Sequence, residues 1–260
     1  MAAAMVQLRR RHDKILNFLA QRGYVAMEEM VAAFEVTPQT LRRDLQMLAE
    51  HGLLRRHHGG ASANISTANV DYGKRHVEME AEKAAIGRVA AELVTPGSSL
   101  FLTTGTTVDA LARAIAERRP GGLRVITNST VVASILDQCP DIAIEVTGGT
   151  WIRHDRSFGG AAAVAMVEGY RCDLHMTGVG GIDPEGNLLE YREPVAIVGR
   201  AMFRNARRRV LLADHTKFLR VATSRLAHLS EVDVLVTDRR PPPEKARLIE
   251  SAGCRLLIAG

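Results

Sequence analysis

Hydrophobic positions keep a helical period through the first fifty residues and then break into short apolar runs separated by helical stretches, and that change divides the chain. Leu8, Ile15, Leu16 and Leu19 fall at helical spacings with Arg9, Arg10, Arg11 and Lys14 between them, and Gly23 ends this first predicted helix. Met27, Met30, Val31 and Phe34 follow at i, i+3, i+4 and i+7, with Glu28 and Glu29 in the first turn, where the helix dipole favours acidic groups. Thr37-Pro38 then reads as an N-cap and a first helical position: the threonine oxygen accepts an orphan amide proton and proline has none to leave unpaired. This third helix buries Leu41, Leu45 and Leu48, so Gln39, Thr40, Arg42 and Arg43 lie largely off the buried stripe and can face a partner. Gly52 closes it. Leu53 to Gly60 reads as a strand and tight turn carrying Arg55, Arg56, His57 and His58, the pattern of a wing.

Residues 61–73 are small and polar without sustained periodicity and read as a linker, which makes 1–60 one domain and 74–260 another. The second domain opens with a helix expected from Glu78 to Val94, stopped by Thr95-Pro96-Gly97. Strands are expected at Ser99–Leu102, Arg124–Thr127, Ile142–Thr147, Asp173–Met176, Arg209–Ala213 and Val232–Val236, with helices such as Val108–Arg118 and Pro194–Asn205 between them. Such alternation predicts an α/β domain with a mainly parallel sheet covered by helices. Ligands of these sheets sit beyond the carboxyl ends of the strands. The first such loop, Thr103-Thr104-Gly105-Thr106-Thr107, puts backbone amides, several hydroxyls and a hinge glycine at a helix N-terminus, an arrangement suited to a phosphate. Thr127-Asn128-Ser129, Thr147-Gly148-Gly149-Thr150, Gly178-Val179-Gly180-Gly181 and Asp214-His215-Thr216-Lys217 repeat the theme. None is a P-loop, and the incomplete glycine pattern at Gly178, followed by a turn at Asp183 to Gly186, excludes a nicotinamide site.

Composition narrows the chemistry. The formal charge is +5, and residues 1–60 hold 9 Lys and Arg against 6 Asp and Glu, compared with 25 against 23 in the remainder. A modest excess fits a solvated surface as well as a nucleic acid, so the motifs carry the decision. Three widely spaced cysteines, Cys139, Cys172 and Cys254, indicate neither a disulfide framework nor a zinc site. No run approaches the roughly 18 apolar residues of a membrane span, and Met1 to Arg11 lacks the apolar core of a secretory signal, so a cytoplasmic protein without a membrane partner is expected. No metal, cofactor or catalytic residue is expected. Asp214 and His215 lack a second ligand cluster, and the lone Trp151 reads as packing.

Two short helices joined by a turn, the second basic at its N-terminal end, fit a DNA major groove, where Arg reads guanine and Gln reads adenine. The strings "TPQTLRRDL" and "LAEHGLLRRHHGGA" over residues 37 to 61 resemble the DeoR family of bacterial regulators. The likeness continues through "GTT", "TNS", "TGG", "ADHTK" and "VTD" in family order. It implies a winged helix-turn-helix, with Val25 to Asp44 as the helix-turn-helix, followed by a Rossmann-like sensor domain similar in fold to ribose-5-phosphate isomerases. It further implies a homo-oligomeric repressor of a carbon-catabolic operon that leaves double-stranded operator DNA when a phosphorylated sugar or polyol binds. Glycerol 3-phosphate is the expected inducer, because "GIDPEGNLLE" and the reader segment look most like members that respond to it. The implied DNA contacts are Thr37, Gln39, Thr40, Arg42, Arg43, Arg55, Arg56 and His57; the implied inducer site is Thr104, Gly105, Thr106, Thr107, Asn128, Gly149, Arg153 and Lys217. Two positions depart from the family, Thr103 where Asp is usual and Leu219 where Gly is usual. An isomerase-like enzyme is the alternative, and it needs a general base that the loop at Thr103 does not offer.

Overall fold

The computed structural model describes residues 11–12, 14–16, 18–19, 22, 24–50, 53–63, 72–220 and 222–260. The chain divides into two compact units, residues 1–67 and, in the main, residues 68–260.

In the first unit the described residues between 11 and 22 are helical, and Ile15, Leu16 and Leu19 are buried as their spacing requires. Leu8 and the expected helix stops Gly23 and Gly52 lie outside the described residues. Helix α1 (Met27–Phe34) ends where Glu35 turns left-handed at φ 53°, and α2 (Pro38–Glu50) buries Leu41, Leu45 and Leu48 against Ile15, Leu19 and Met30. The wing is larger than expected. Strand β2 (Leu54–His57) pairs antiparallel with β3 (Gly60–Ala63), and β3 pairs on its other side with β1 (Tyr24–Ala26). Residues 61–63, expected to open a linker, are thus the central strand; small side chains give no periodic signal, and pairing on both edges fixes them. A Cβ on Gly60 would meet the Val25 carbonyl oxygen at 2.3 Å, so this close strand approach requires glycine.

The second unit starts earlier than expected, with α3 (Tyr72–Val77), and the predicted helix from Glu78 to Val94 is the shorter α4 (Glu80–Ala91). Met79, left-handed at φ 52°, separates the two. Seven parallel strands follow in the order β15-β14-β12-β9-β4-β5-β6: β4 (Ser99–Leu102), β5 (Leu123–Thr127), β6 (Ile142–Val146), β9 (Cys172–Thr177), β12 (Ala206–Leu212), β14 (Val234–Thr237) and β15 (Arg255–Ile258). The bounds of the six expected strands differ from the sequence expectation by up to three residues, most at β12, whose first half is held to β9 by register rather than by apolar side chains. The sheet is buried on both faces. Leu100 and Leu102 pack with α4, α5 (Thr106–Arg118) and α6 (Thr130–Leu136), while Phe101 points the other way into α7 (Ala161–Glu168) and α8 (Glu193–Arg204). His175 lies on the Phe101 side between Phe101 and Phe203, and burial pushes its imidazole down to about 3, so it is neutral packing. Pieces without a counterpart in the sequence reading include the edge strand β15, the hairpin of β7 (Thr150–Ile152) and β8 (Ser157–Gly159), a small antiparallel sheet of β10 (Gly181–Ile182), β11 (Asn187–Glu190) and β13 (Ser224–His228), and α9 (Pro243–Ser251). The Gly178 segment leads into β10 and then a turn closed by Gly186 N donating to Asp183 O at 3.1 Å, not into a nucleotide-binding helix.

Candidate functional site

The N-terminal end of α2 is built as the cap predicts. Thr37 Oγ1 accepts from Thr40 N at 3.2 Å, the two hydroxyls lie 2.9 Å apart, and Pro38 takes the first helical position. Gln39, Arg42 and Arg43 are exposed, and Thr40 is half-buried. Asp44 in the same "LRRD" segment is instead 2% exposed and holds the helix in place: Arg11 Nε and Nη2 donate to its two oxygens at 2.6 and 3.1 Å, and His12 Nε2 lies 3.2 Å away. That hydrogen bond raises the Arg11 guanidinium above its usual value. Arg11, Thr37, Gln39, Thr40 and Arg43 line an open depression of about 580 Å³, adding Arg11 to the cations the sequence singled out. On the wing, Arg55, Arg56 and His57 are all exposed, but strand alternation puts Arg55 and His57 on one face and Arg56 on the other. His57 Nε2 lies 2.8 Å from Ser62 Oγ and its ring is edge-on to Tyr24 at 5.6 Å.

In the second unit β4 and β9 are neighbours whose following strands run outward in opposite directions, so the crevice past their ends is the topological switch point of the sheet. The Thr103 to Thr107 loop fills it. Gly105 has φ 144°, a conformation side chains rarely adopt, and a Cβ there would meet nothing nearer than Val108 Cγ2 at 3.9 Å. Gly105 is the N-cap of α5 and supplies no capping side chain, so the first-turn amides of Thr106, Thr107 and Val108 have no acceptor within the helix. Two of the loop hydroxyls bond elsewhere in the unit. Thr103 Oγ1 lies 2.9 Å from Thr177 Oγ1 at the end of β9, Thr104 Oγ1 donates to Asp155 O at 2.6 Å, and Thr106 is buried along a groove toward Lys83 and Ala84. The first-turn backbone N–H groups of α5 are therefore donors that this loop can offer to an anion. Asn128, fully buried, ties loops together by accepting from Thr104 N at 3.1 Å and donating to Phe158 O at 3.0 Å.

Lys217 sits half-buried on the 3₁₀ turn His215–Leu219, anchored by its amide donating to Asp214 O at 3.0 Å. Asp214 and His215 serve this turn: Asp214 Oδ1 accepts from Thr216 N at 3.0 Å, and His215 Nδ1 lies 2.7 Å from Asp238 Oδ2. Lys217 belongs to a charged cluster that sequence reasoning missed. Glu190, at the end of β11, is pushed up to about 7 chiefly by burial and further by Asp155, while Lys217 and Arg75 pull it back. Asp155 is 5% exposed and takes Arg75 Nη2 at 2.8 Å and Arg192 Nε at 2.9 Å. Gly149 and Arg153 belong to the hairpin segment that carries Asp155. Gly149, at φ 123°, is shaped by the hairpin, since a Cβ would meet Gly159 O at 2.5 Å; Arg153 is exposed on the 3₁₀ turn Arg153–Asp155, and it is Asp155 at the other end of that turn that points inward. Arg75, Glu190 and Arg192 gave no local signal beyond being charges flanking helices. Among the described residues no group of three or more His, Cys, Asp or Glu is placed to hold a metal ion, and no helix is long and apolar enough to cross a membrane. The three cysteines are buried free thiols, and burial pushes Cys172 up to about 12 and Cys254 to about 11.

Comparison with known proteins places both units. The DeoR-like helix-turn-helix domain matches residues 11–67 and the DeoR C terminal sensor domain matches residues 78–239. A glycerol-3-phosphate regulon repressor from Haemophilus influenzae is 41% identical over 89% of this chain and 89% of its own length. The HTH-type transcriptional repressor CsqR of Escherichia coli (strain K12) is 39% identical over 93% of this chain and 92% of its own, and the glycerol-3-phosphate regulon repressor of the same strain is 39% identical over 89% and 91%. Among solved structures, ribose 5 phosphate isomerase A from Neisseria gonorrhoeae is 14% identical with a TM-score of 0.40, covering 55% of this chain and 54% of that one. With both domains matched and such relatives aligned along most of its length, the chain belongs to the DeoR family of helix-turn-helix regulators.

Proposed function

We propose that this protein is a transcriptional repressor of carbon-catabolic genes, released from its operator when a phosphorylated polyol or sugar occupies the Thr104 to Thr107 loop. One observation carries the reading: the chain that presents Gln39, Arg42 and Arg43 at a capped reader helix also presents an uncapped helix N-terminus at its switch point, in the same region as Lys217. Glycerol 3-phosphate is the ester we favour, because two of the relatives are named for its regulon. Backbone amides of Thr106 and Thr107 would take the phosphate, with Lys217 supplying a counter-charge and Glu190 a hydroxyl acceptor. Arg42 and Arg43 would contact bases or backbone in the major groove, and the wing cations the adjacent phosphates. The protein acts in the cytoplasm, where operator DNA lies, as a homo-oligomer whose reader domains, about residues 1–60, engage paired half-sites, with residues 74–260 as the sensor.

Glu190 favours a second reading, an isomerase-like enzyme, since a carboxyl near 7 beside a lysine is what a general base requires. A DNA reader adds nothing to such an enzyme, and the relatives are named repressors. The test is thermal stability of the full chain against glycerol 3-phosphate, glycerol, ribose 5-phosphate and inorganic phosphate, because a ligand of the native state raises its melting point. A rise with glycerol 3-phosphate and none with glycerol is expected. Turnover of ribose 5-phosphate would replace the repressor reading with the enzyme one.

A further inference from the structure

Helix α3 is the first described element after residues 64–71, which join it to wing strand β3. Two of its holds on the rest of the sensor unit bear on the Thr104 to Thr107 loop. Lys83, buried in α4, donates to the carbonyls of Arg75 and Glu78, which secures the C-terminal end of α3. The second hold is an ion pair from Arg75 Nη2 to Asp155 Oδ1 at 2.8 Å. Asp155 is unlike an ordinary surface partner. Its other oxygen is ion-paired with Arg192 Nε at 2.9 Å, just before α8, and its backbone oxygen accepts from the hydroxyl of Thr104 at 2.6 Å, one residue from the uncapped N-terminus of α5. A single buried residue therefore joins the loop suited to a phosphate, the start of α8 and the helix leading from the wing.

The charges suggest what this junction does. Two guanidiniums share one carboxylate, and Lys217 and Glu190 lie in the same field. A phosphate dianion arriving at the α5 N-terminus offers acceptors stronger than a carboxylate already shared between two arginines. Docking α3 alone would not need this arrangement, because Lys83 already provides it.

We propose that Arg75 is the positioning residue through which effector occupancy reaches the DNA-binding unit: the Arg75–Asp155 pair holds α3 in its operator-competent place, and the phosphate weakens that hold. This rests on the repressor reading above and adds the route. With the site empty the pair is made; with the ester bound, Arg75 and Arg192 divide between Asp155 and the phosphate, and α3 is freed to move the segment that precedes it.

The experiment uses the full chain and the duplex that wild-type protein selects from a random DNA library, followed by fluorescence anisotropy with and without glycerol 3-phosphate. Without effector, Arg75→Gln and Asp155→Asn are expected to bind this duplex at least about 5-fold more weakly than wild type, the lower end of ordinary allosteric coupling. Effector should weaken the two variants little further. Arg75→Lys, which keeps the charge, is expected to restore most of the duplex affinity, and calorimetry should still detect glycerol 3-phosphate binding in all three, weaker in Arg75→Gln, which loses a phosphate contact, than in Asp155→Asn, which keeps both guanidiniums. Wild-type duplex affinity in Arg75→Gln, or a full effector response in that variant, would overturn the proposal. Loss of duplex binding in Arg75→Gln with no rescue by Arg75→Lys would overturn it too, by reducing Arg75 to a folding role. Failure of the wild-type chain to select any duplex would instead bring down the repressor reading itself.

Discussion

Asp44→Ala tests whether the reader helix is held by the buried carboxylate at its centre. Asp44 accepts two bonds from Arg11 and one contact from His12, all within 3.2 Å, and is 2% exposed. Removing one partner of a fully buried pair costs about 3–5 kcal/mol. Here Arg11 and His12 keep 25% and 18% of their side-chain surface, so both side chains rehydrate when the carboxylate goes, and the cost falls to roughly 2–3 kcal/mol. In a unit of this size about 1 kcal/mol corresponds to some 4–8 °C, so its melting transition should drop by roughly 10–20 °C. Differential scanning calorimetry of the full chain measures this, with hydrogen exchange at residues 24–63 assigning the transition to the first unit. A double-mutant cycle with Arg11→Ala should return a coupling of about 1–2 kcal/mol, His12 accounting for the rest. A shift below about 3 °C, or no coupling between positions 11 and 44, would refute the claim that this cluster sets the helix.

Three further outcomes are expected. Glu190 is raised from 4.5 to about 7, so between those values the folded chain keeps a proton that the unfolded chain has lost; its contribution is full below about 4.5 and disappears as pH rises through about 7. Stability should fall over that window by at most about 3 kcal/mol, and Glu190→Gln should remove that part of the slope in denaturant titrations; an identical slope in the variant would contradict the assignment. Gly105→Ala forces a side chain into φ 144° at a strain of about 1–3 kcal/mol with no clash to relieve, and should abolish the thermal shift with glycerol 3-phosphate; retained ester binding would show that the loop does not hold the phosphate. Because Arg55 and Arg56 face opposite sides of β2, their alanine variants should lower the salt dependence of operator binding unequally, one by about one unit of slope; equal losses would mean that the wing does not lie along the DNA backbone as a strand.

What could be read from the sequence was local in sequence. The Thr37 cap, Pro38 and the Leu41, Leu45, Leu48 stripe lie within one helix, and the structure shows each in its expected place. The parallel sheet was visible because strands such as Ser99–Leu102 are apolar on both faces and bounded by polar turns. What escaped depends on partners far along the chain. Residues 61–63 become a strand only by pairing with β1 and β2, and β11 only by pairing with β13, some 35 residues on. Asp155 drew no notice because its partners stand at 75, 104 and 192, while Arg153, more conspicuous beside a glycine turn, is exposed to solvent. In the sequence the loop at Thr104 offers both backbone amides and hydroxyls; the structure ties the hydroxyls of Thr103 and Thr104 to Thr177 and Asp155, which no local pattern announces because those partners lie 74 and 51 residues away.

The central claim is that a phosphate ester at the α5 N-terminus controls DNA binding at α2. Its most direct measurement is affinity for the selected duplex as glycerol 3-phosphate is titrated, in parallel with affinity for the ester as duplex is titrated. Linkage requires the two changes to be equal, and the expected factor is about 5- to 150-fold weakening, with glycerol producing none. Duplex affinity that stays constant through saturating ester, with the ester demonstrably bound, would contradict the account.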